Sequence, residues 1–253
     1  MIYACSDIHG QYDYFTEMLS KINFNNEDYM YIIGDVIDRG PDSIKLLRLI
    51  MKMDNVKMLI GNHEDMMIKS LLFHDNVQFS TWMANGGDVT YEEFIKLDDD
   101  VQNEILHFLY KSPVAITNLK VEDNIFYLVH ACHLNYYVDG EILYCDLYTE
   151  DIKKCVWSRD YGYMNKQLNN KLYKELYDQY PKDMKMLIGH TPVYFTNYGK
   201  VTSEGRPMIS RSMSGHLYNL DCGCASGLPL GCIRLNDMKE FYTEIPEGFY
   251  LKK

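Results

Sequence analysis

Paired cysteines are missing from this 253-residue chain. Its seven cysteines are odd in number and include no Cys-x-x-Cys, so neither a disulfide framework nor a thiolate zinc site is expected. They read as free, mostly buried thiols of a reducing compartment. Basic charge is also short. The 25 Lys and Arg stand against 36 Asp and Glu and are scattered along the sequence, which excludes the basic stripe that tracks a nucleic-acid backbone. No apolar run approaches the roughly 20 residues that span a bilayer, and the first polar motif is reached by Asp7, too early for a secretory leader. The expectations are no nucleic-acid partner, no membrane partner and a cytoplasmic location. Fixed-period repeats, low-complexity tracts and a linker-like stretch are absent too, so one domain is expected over residues 1–253.

What is present is a repeated grammar in which a short apolar run ends in a polar cluster and a helical pattern follows. Ile2 to Cys5 leads to Ser6-Asp7-Ile8-His9-Gly10, then to Phe15, Met18, Leu19 and Ile22 at helical spacing. Tyr29 to Ile33 leads to Gly34-Asp35-Val36-Ile37-Asp38-Arg39-Gly40, and a helix is predicted after Pro41 with Asp42 as its N-cap. Val56 to Ile60 leads to Gly61-Asn62-His63-Glu64 and a third helix. Strands alternating with helices imply crossovers in a parallel sheet, whose ligands bind beyond the carboxyl ends of the strands. The three clusters should therefore meet at one edge. Residues 74–112 read as a helical, solvated insertion, with Asp98-Asp99-Asp100 as a helix start or solvated loop. Ile125 to Val129 ends at His130, an irregular tyrosine-rich segment covers about 131–165, and Met184 to Ile188 ends at Gly189-His190-Thr191-Pro192. The strands predicted after Tyr194 suggest a second sheet.

The strand ends deliver Asp7, His9, Asp35, Asn62, His130 and His190. Carboxylate, imidazole and amide donors suit manganese, iron or zinc, and six ligands exceed what one open catalytic ion needs, so a pair of divalent metal ions is expected, with Asp35 as the bridge between them. Arg39 can neutralise phosphate oxygens. His63 can give a proton to a leaving group if Asp38 keeps it protonated and oriented.

These motifs, in order with the Asn85-Gly86-Gly87 turn, Trp157-x-Arg159 and Leu220-Asp221-x-Gly223, resemble the phosphoprotein phosphatase branch of the calcineurin-like metallophosphoesterases, especially its small bacterial and phage members. The resemblance implies an α/β, four-layer fold of two mixed β-sheets sandwiched between helices. It implies that Asp7, His9 and Asp35 hold one metal and that Asp35, Asn62, His130 and His190 hold the other, with manganese foremost. Arg39, Arg159 and Asn62 would contact substrate, and His63 with Asp38 would form the acid dyad. Ser6 departs from the glycine usual before the Asp, and His133 is a rival to His130. Pro192 stands where many nucleases of the superfamily carry a second His, which turns the reading away from nucleases. The expected substrate is phosphoserine or phosphothreonine in a protein. The alternatives are diadenosine tetraphosphate and, in a different class, a catalytically silent phospho-binding protein. Oligomeric state is not legible.

Overall fold

Tyr3 and Cys5 of the first strand, β1 (Ile2–Cys5), belong to one apolar core and Ala4 to another, and this alternation sets up the layers of the molecule. The computed structural model describes residues 1–162, 166–181, 183–212 and 214–245. The sequence continues as α1 (Tyr12–Lys21), β2 (Tyr29–Ile33), α2 (Ser43–Ile50), β3 (Val56–Leu59) and α3 (Asn62–Met67), as the periodicity predicts. Next come α4 (Asn76–Trp82), α5 (Asp88–Phe94), α6 (Asp99–Lys111), β4 (Pro113–Val121), β5 (Asn124–Val129), β6 (Glu141–Leu143), α7 (Thr149–Trp157), α8 (Lys166–Gln179) and β7 (Lys185–Ile188). The described residues close with β8 (Lys200–Val201), β9 (Pro207–Met208), β10 (Ser210–Arg211), β11 (Leu217–Asn219), β12 (Gly231–Arg234) and β13 (Lys239–Tyr242).

One large sheet runs β13-β12-β1-β2-β3 and the other β10-β11-β7-β5-β4-β6, and β8 pairs with β9 apart from both. Ala4, Ile33, Leu59 and Ile233 of the first share a core with Phe126, Leu128, Leu187 and Tyr218 of the second. The alternate residues, Met30, Ile32 and Met58, join Phe15 and Met18 of α1 and Leu47 and Ile50 of α2, while Tyr127 and Met186 join Leu172 and Leu176 of α8. Two mixed sheets therefore lie between helices. β1, β2 and β3 are mutually parallel, and so are β5, β7 and β11, so each set ends on one edge.

Several expectations need correction. Of the late strands only β8 and β9 form a sheet of their own, a two-stranded one; β10 and β11 extend the sheet begun by β4, whereas β12 returns antiparallel to β1 and carries β13 with it. An alternating pattern marks a strand without naming its partner. Asp42 stands at the N-cap of α2 as expected, its carbonyl accepting the Leu46 N–H (2.9 Å), but its side chain makes no cap bond. It has ψ 41°, its N–H is spent on Gly10 O, and its carboxylate lies 3.6 Å from Lys45 Nζ. The insertion is helical but not merely solvated, because Trp82, Phe94, Ile105 and Leu109 are buried. The acidic run does start a helix, with Asp99 and Asp100 in the first turn of α6, where they complement its dipole. The tyrosine-rich segment holds β6 and α7. Six of the seven cysteines are buried and all are free.

Candidate metal centre

Each parallel strand hands a polar residue to the same edge. Asp7 and His9 follow β1, Asp35 follows β2, Asn62 and His63 follow β3, His130 follows β5, His190 follows β7 and Asp221 follows β11. Neighbouring loops are stitched by backbone bonds, Asp7 N–H to Gly34 O (3.1 Å), His9 N–H to Asp35 O (3.0 Å) and Gly189 N–H to His130 O (2.9 Å). Asp7, His9, Asp35, Asp38, Arg39 and His190 all take left-handed backbone conformations, with φ from 50° to 74°. Such residues cost of order 1–3 kcal/mol each and persist only where their surroundings fix them. Gly61 is needed for its size: a Cβ there would stand 2.2 Å from Asp35 Oδ1.

Two buried ligand groups result, His9 with Asp35 and His63, and Asp35 with His130 and His190. The donor set fits a cation. His9 Nδ1 lies 3.0 Å from Ile37 O and His130 Nδ1 2.9 Å from Ile33 O, so both rings carry a proton on Nδ1 and turn Nε2 inward. His130 Nε2 then meets Asn62 Oδ1 at 3.1 Å and Asp35 Oδ2 at 3.3 Å, an arrangement of acceptors that holds together only around a positive charge. His190 Nδ1 completes it, 2.8 Å from Asn62 Oδ1. Asp7 belongs to neither group. Its carboxylate receives the His190 N–H (3.1 Å) and lies against Ser6 Oγ, so the residue that departs from glycine touches it directly. His133 is set apart, with Nδ1 2.7 Å from Tyr161 OH.

Without metal, the cluster distributes its charge unevenly. Burial, and then the neighbouring Asp221, push Asp7 well above the usual carboxylate range. Burial and the nearby imidazoles hold His9 and His190 well below 6.5. Burial also opposes charge on His130, yet Asp35 lifts it to about 10. A histidine raised in the folded chain contributes stability that is complete below 6.5 and lost as pH rises through about 10. The metal-free chain should therefore lose melting temperature across that interval. Because the same proton competes with metal, divalent affinity should rise over it. Melting curves of the metal-free chain check the first and titration calorimetry at several pH values the second, and a flat affinity would remove His130 from the ligand set.

Beside these groups, Asp38 Oδ2 accepts from His63 Nδ1 (2.6 Å) and from Trp82 Nε1 (2.8 Å). Burial raises the Asp38 carboxyl above its ordinary value while these bonds oppose the rise. The Arg39 guanidinium lies across the mouth, with Nη1 3.0 Å from His9 Nε2 and Nη2 2.9 Å from His63 Nε2, and its backbone N–H is held by Gly86 O (3.0 Å). Arg159 donates to Thr191 Oγ1 (3.1 Å), beside the His190 loop.

Four contributors were given no role by the sequence, although Glu64 and Asp221 stand in its motifs. Glu64 accepts backbone N–H groups from Asp35 (2.9 Å), Val36 (2.8 Å), Ile37 (3.3 Å) and Gly61 (2.9 Å). Its place three residues after Gly61 is a capping-box spacing and could have flagged it. Asp65 gathers Trp157 Nε1 (2.9 Å), Tyr144 OH (2.8 Å) and Lys69 Nζ (2.9 Å). Asp221 is buried at the same edge, and burial with the nearby Asp35 raises it to about 6, although the Gly223 N–H opposes this. Trp82 gave no local signal, since its partner lies 44 residues away.

Comparison with known proteins agrees with this architecture. The family described as calcineurin-like phosphoesterase matches residues 1–219. The symmetrical bis(5'-nucleosyl)-tetraphosphatase of Buchnera aphidicola subsp. Schizaphis graminum is 28% identical over 174 residues, 68% of this chain and 58% of that protein. The Legionella pneumophila (strain Corby) protein of the same name is 38% identical over 111 residues, 43% of this chain and 37% of its own. The matched part thus spans less than two thirds of these curated relatives. Among solved structures, a candidate diadenosine tetraphosphatase superposes with TM-score 0.61 at 15% identity, covering 98% of this chain and 94% of that one. A protein serine/threonine phosphatase from Saccharomyces cerevisiae gives 0.57 at 15%, covering 97% and 81%. At that identity the likeness is one of fold. With the strand-end ligands in place and the family match running through β11, the chain belongs to the calcineurin-like phosphoesterases.

Proposed function

We propose that this chain hydrolyses phosphate esters with two divalent metal ions, held by Asp7, His9 and Asp35 on one side and by Asp35, Asn62, His130 and His190 on the other. Asp35 carries the reading, because its one carboxylate groups both with His9 and His63 and with His130 and His190. Oxygen and imidazole donors together suit manganese, with iron or zinc also compatible. Bound ions would supply water that ionises near neutral pH and positive charge against the phosphate oxygens. The remaining work falls to side chains. Arg39 binds the phosphate by turning its exposed guanidinium away from His9 and His63. That turn releases His63 Nε2 to carry a proton to the leaving oxygen, while Asp38 keeps Nδ1 fixed and the Trp82 N–H keeps Asp38 in place. Arg159, beside the same loop, is a second phosphate contact. A silent phosphate-binding protein would have no use for a fully buried Asp38–His63 pair.

On the substrate, the named relatives favour a dinucleoside tetraphosphate. A phosphoserine or phosphothreonine protein is the second reading, favoured by the exposed Tyr136, Tyr137, Tyr148 and Phe195, which a small substrate would leave largely unused. Specificity constants with manganese for diadenosine tetraphosphate, a phosphoserine peptide and an aryl phosphate separate these readings, and a higher value for the peptide selects the second. His63→Asn should lower turnover of the phosphoserine peptide, whose alkoxide leaving group needs a proton, by about 10²–10³, and of the dinucleotide and the aryl phosphate, whose leaving groups depart as stable anions, far less. Equal losses, or none, would remove the acid role. Failure of the metal-loaded chain to turn over all three substrates would remove hydrolysis itself.

A further inference from the structure

Four of the cations gather on one face of the fold, three of them within eight residues of sequence. A groove of about 580 Å³ runs between α2 and the segment after α5, with Lys45, Arg48, Lys52 and Lys96 along it. Lys45, Arg48, Leu49 and Lys52 follow the i, i+3, i+4, i+7 spacing of one helix face, continued just past the helix end. The acids there are already engaged. Glu93 Oε2 accepts the Ile44 N–H (2.9 Å), and Asp42 faces Lys45, whose Nζ also lies 3.7 Å over the Tyr12 ring. Arg48, Lys52 and Lys96 are exposed and make no ion pair among the described residues. On a chain of net charge −11, such a concentration of unpaired positive charge is out of keeping with the rest of the surface.

We infer that this groove docks an acidic peptide segment of a protein partner, one that alternates acidic with aliphatic side chains. The charge selects an anion, and the floor narrows the choice. Tyr12, Leu49 and Leu97 are half-buried in the groove, and Ile95 beside it is 52% exposed, so apolar surface is offered between the cations. A simple polyanion would leave that surface wet, whereas an acidic and aliphatic peptide covers it. The groove is also tied to the metal centre. Tyr12 lies three residues after His9, and Ser43, the first residue of α2, receives the Asp38 N–H on its Oγ (2.8 Å). α2 is about 12 Å long, so a peptide lying along it sits within reach of the mouth guarded by Arg39.

The test is binding, and it stands whether or not the chain is a hydrolase. A short fluorescent peptide alternating Glu with Leu is titrated into the full chain by anisotropy, alongside the triple variant Arg48→Glu, Lys52→Glu, Lys96→Glu and its alanine counterpart. The alanine variant should weaken binding about tenfold and the glutamate variant more, with melting temperatures unchanged because all three side chains are exposed. Added salt should weaken the wild-type complex. Binding of the Glu/Leu peptide that is equal in wild type and variants overturns the inference. So does displacement of the peptide by tripolyphosphate at equal charge, since that would make the groove a site for any polyanion.

Discussion

Asp35→Asn should leave the fold intact, empty at least one of the two metal groups, and lower turnover by about four orders of magnitude. The expectation follows from how the two carboxylate oxygens are used. Oδ1 accepts the His63 N–H (3.1 Å), a bond that an amide oxygen can make equally well. Oδ2 faces His130 Nε2 at 3.3 Å, His9 Nε2 at 3.6 Å and His63 Nε2 at 4.0 Å, and three imidazoles are the reason this carboxyl stays well below the usual range in spite of its burial. In the variant an NH₂ donor takes the place of Oδ2, supplies no negative charge and meets the Nε2–H of a charged His130. The metal-free variant should therefore melt below the wild type at neutral pH, because the attraction that lifts His130 is lost, and its bound metal should fall as well. Elemental analysis after dialysis, read beside turnover, checks this. Full metal content with unchanged turnover would mean that the shared carboxylate does not bridge.

Glu64→Ala should cost about 3–5 kcal/mol of stability, read from urea unfolding of the metal-free chain. The lost carboxylate leaves four backbone N–H groups, three of them from the successive residues Asp35, Val36 and Ile37, buried in a cavity with nothing to accept them. Glu64→Gln is the sharper variant. It keeps one acceptor oxygen and the side-chain volume, but turns an NH₂ toward N–H groups that also donate. It should fall between wild type and alanine. In both variants metal affinity should drop with stability, because the loop that Glu64 organises is the one that presents Asp35. A Glu64→Ala chain as stable as wild type would show that water replaces the carboxylate at no cost.

Much of the edge that carries the ligands was legible because a strand end is a local event. An apolar run stops, a charged residue follows, and the parallel topology does the gathering without further instruction. Asp7, His9, Asp35, Asn62, His63, His130 and His190 could all be placed on this basis. What holds them was harder to read. Trp82 sits in an insertion whose pattern shows only that it is helical, and its N–H reaches Asp38 through tertiary packing that no spacing encodes. Asp42 takes the N-cap position that its residue type announces, but its carboxylate turns to Lys45 rather than to the helix N–H groups, which residue type alone does not tell. The destination of β12 and β13 was illegible for a related reason, since both sheets bury one face toward the same inner core and accept the same alternation.

The left-handed backbone of Asp7, His9, Asp35 and His190 bears on how quickly the site fills. These conformations are fixed by bonds to Gly34 O, Asp35 O and the Asp7 carboxylate, none of which involves a cation. Metal uptake is then capture by ligands already in position rather than folding around an ion, so its rate should follow the loss of the ion's own hydration water. A chelator should strip the centre while far-ultraviolet dichroism stays constant, and metal added back should restore turnover without a slow refolding phase.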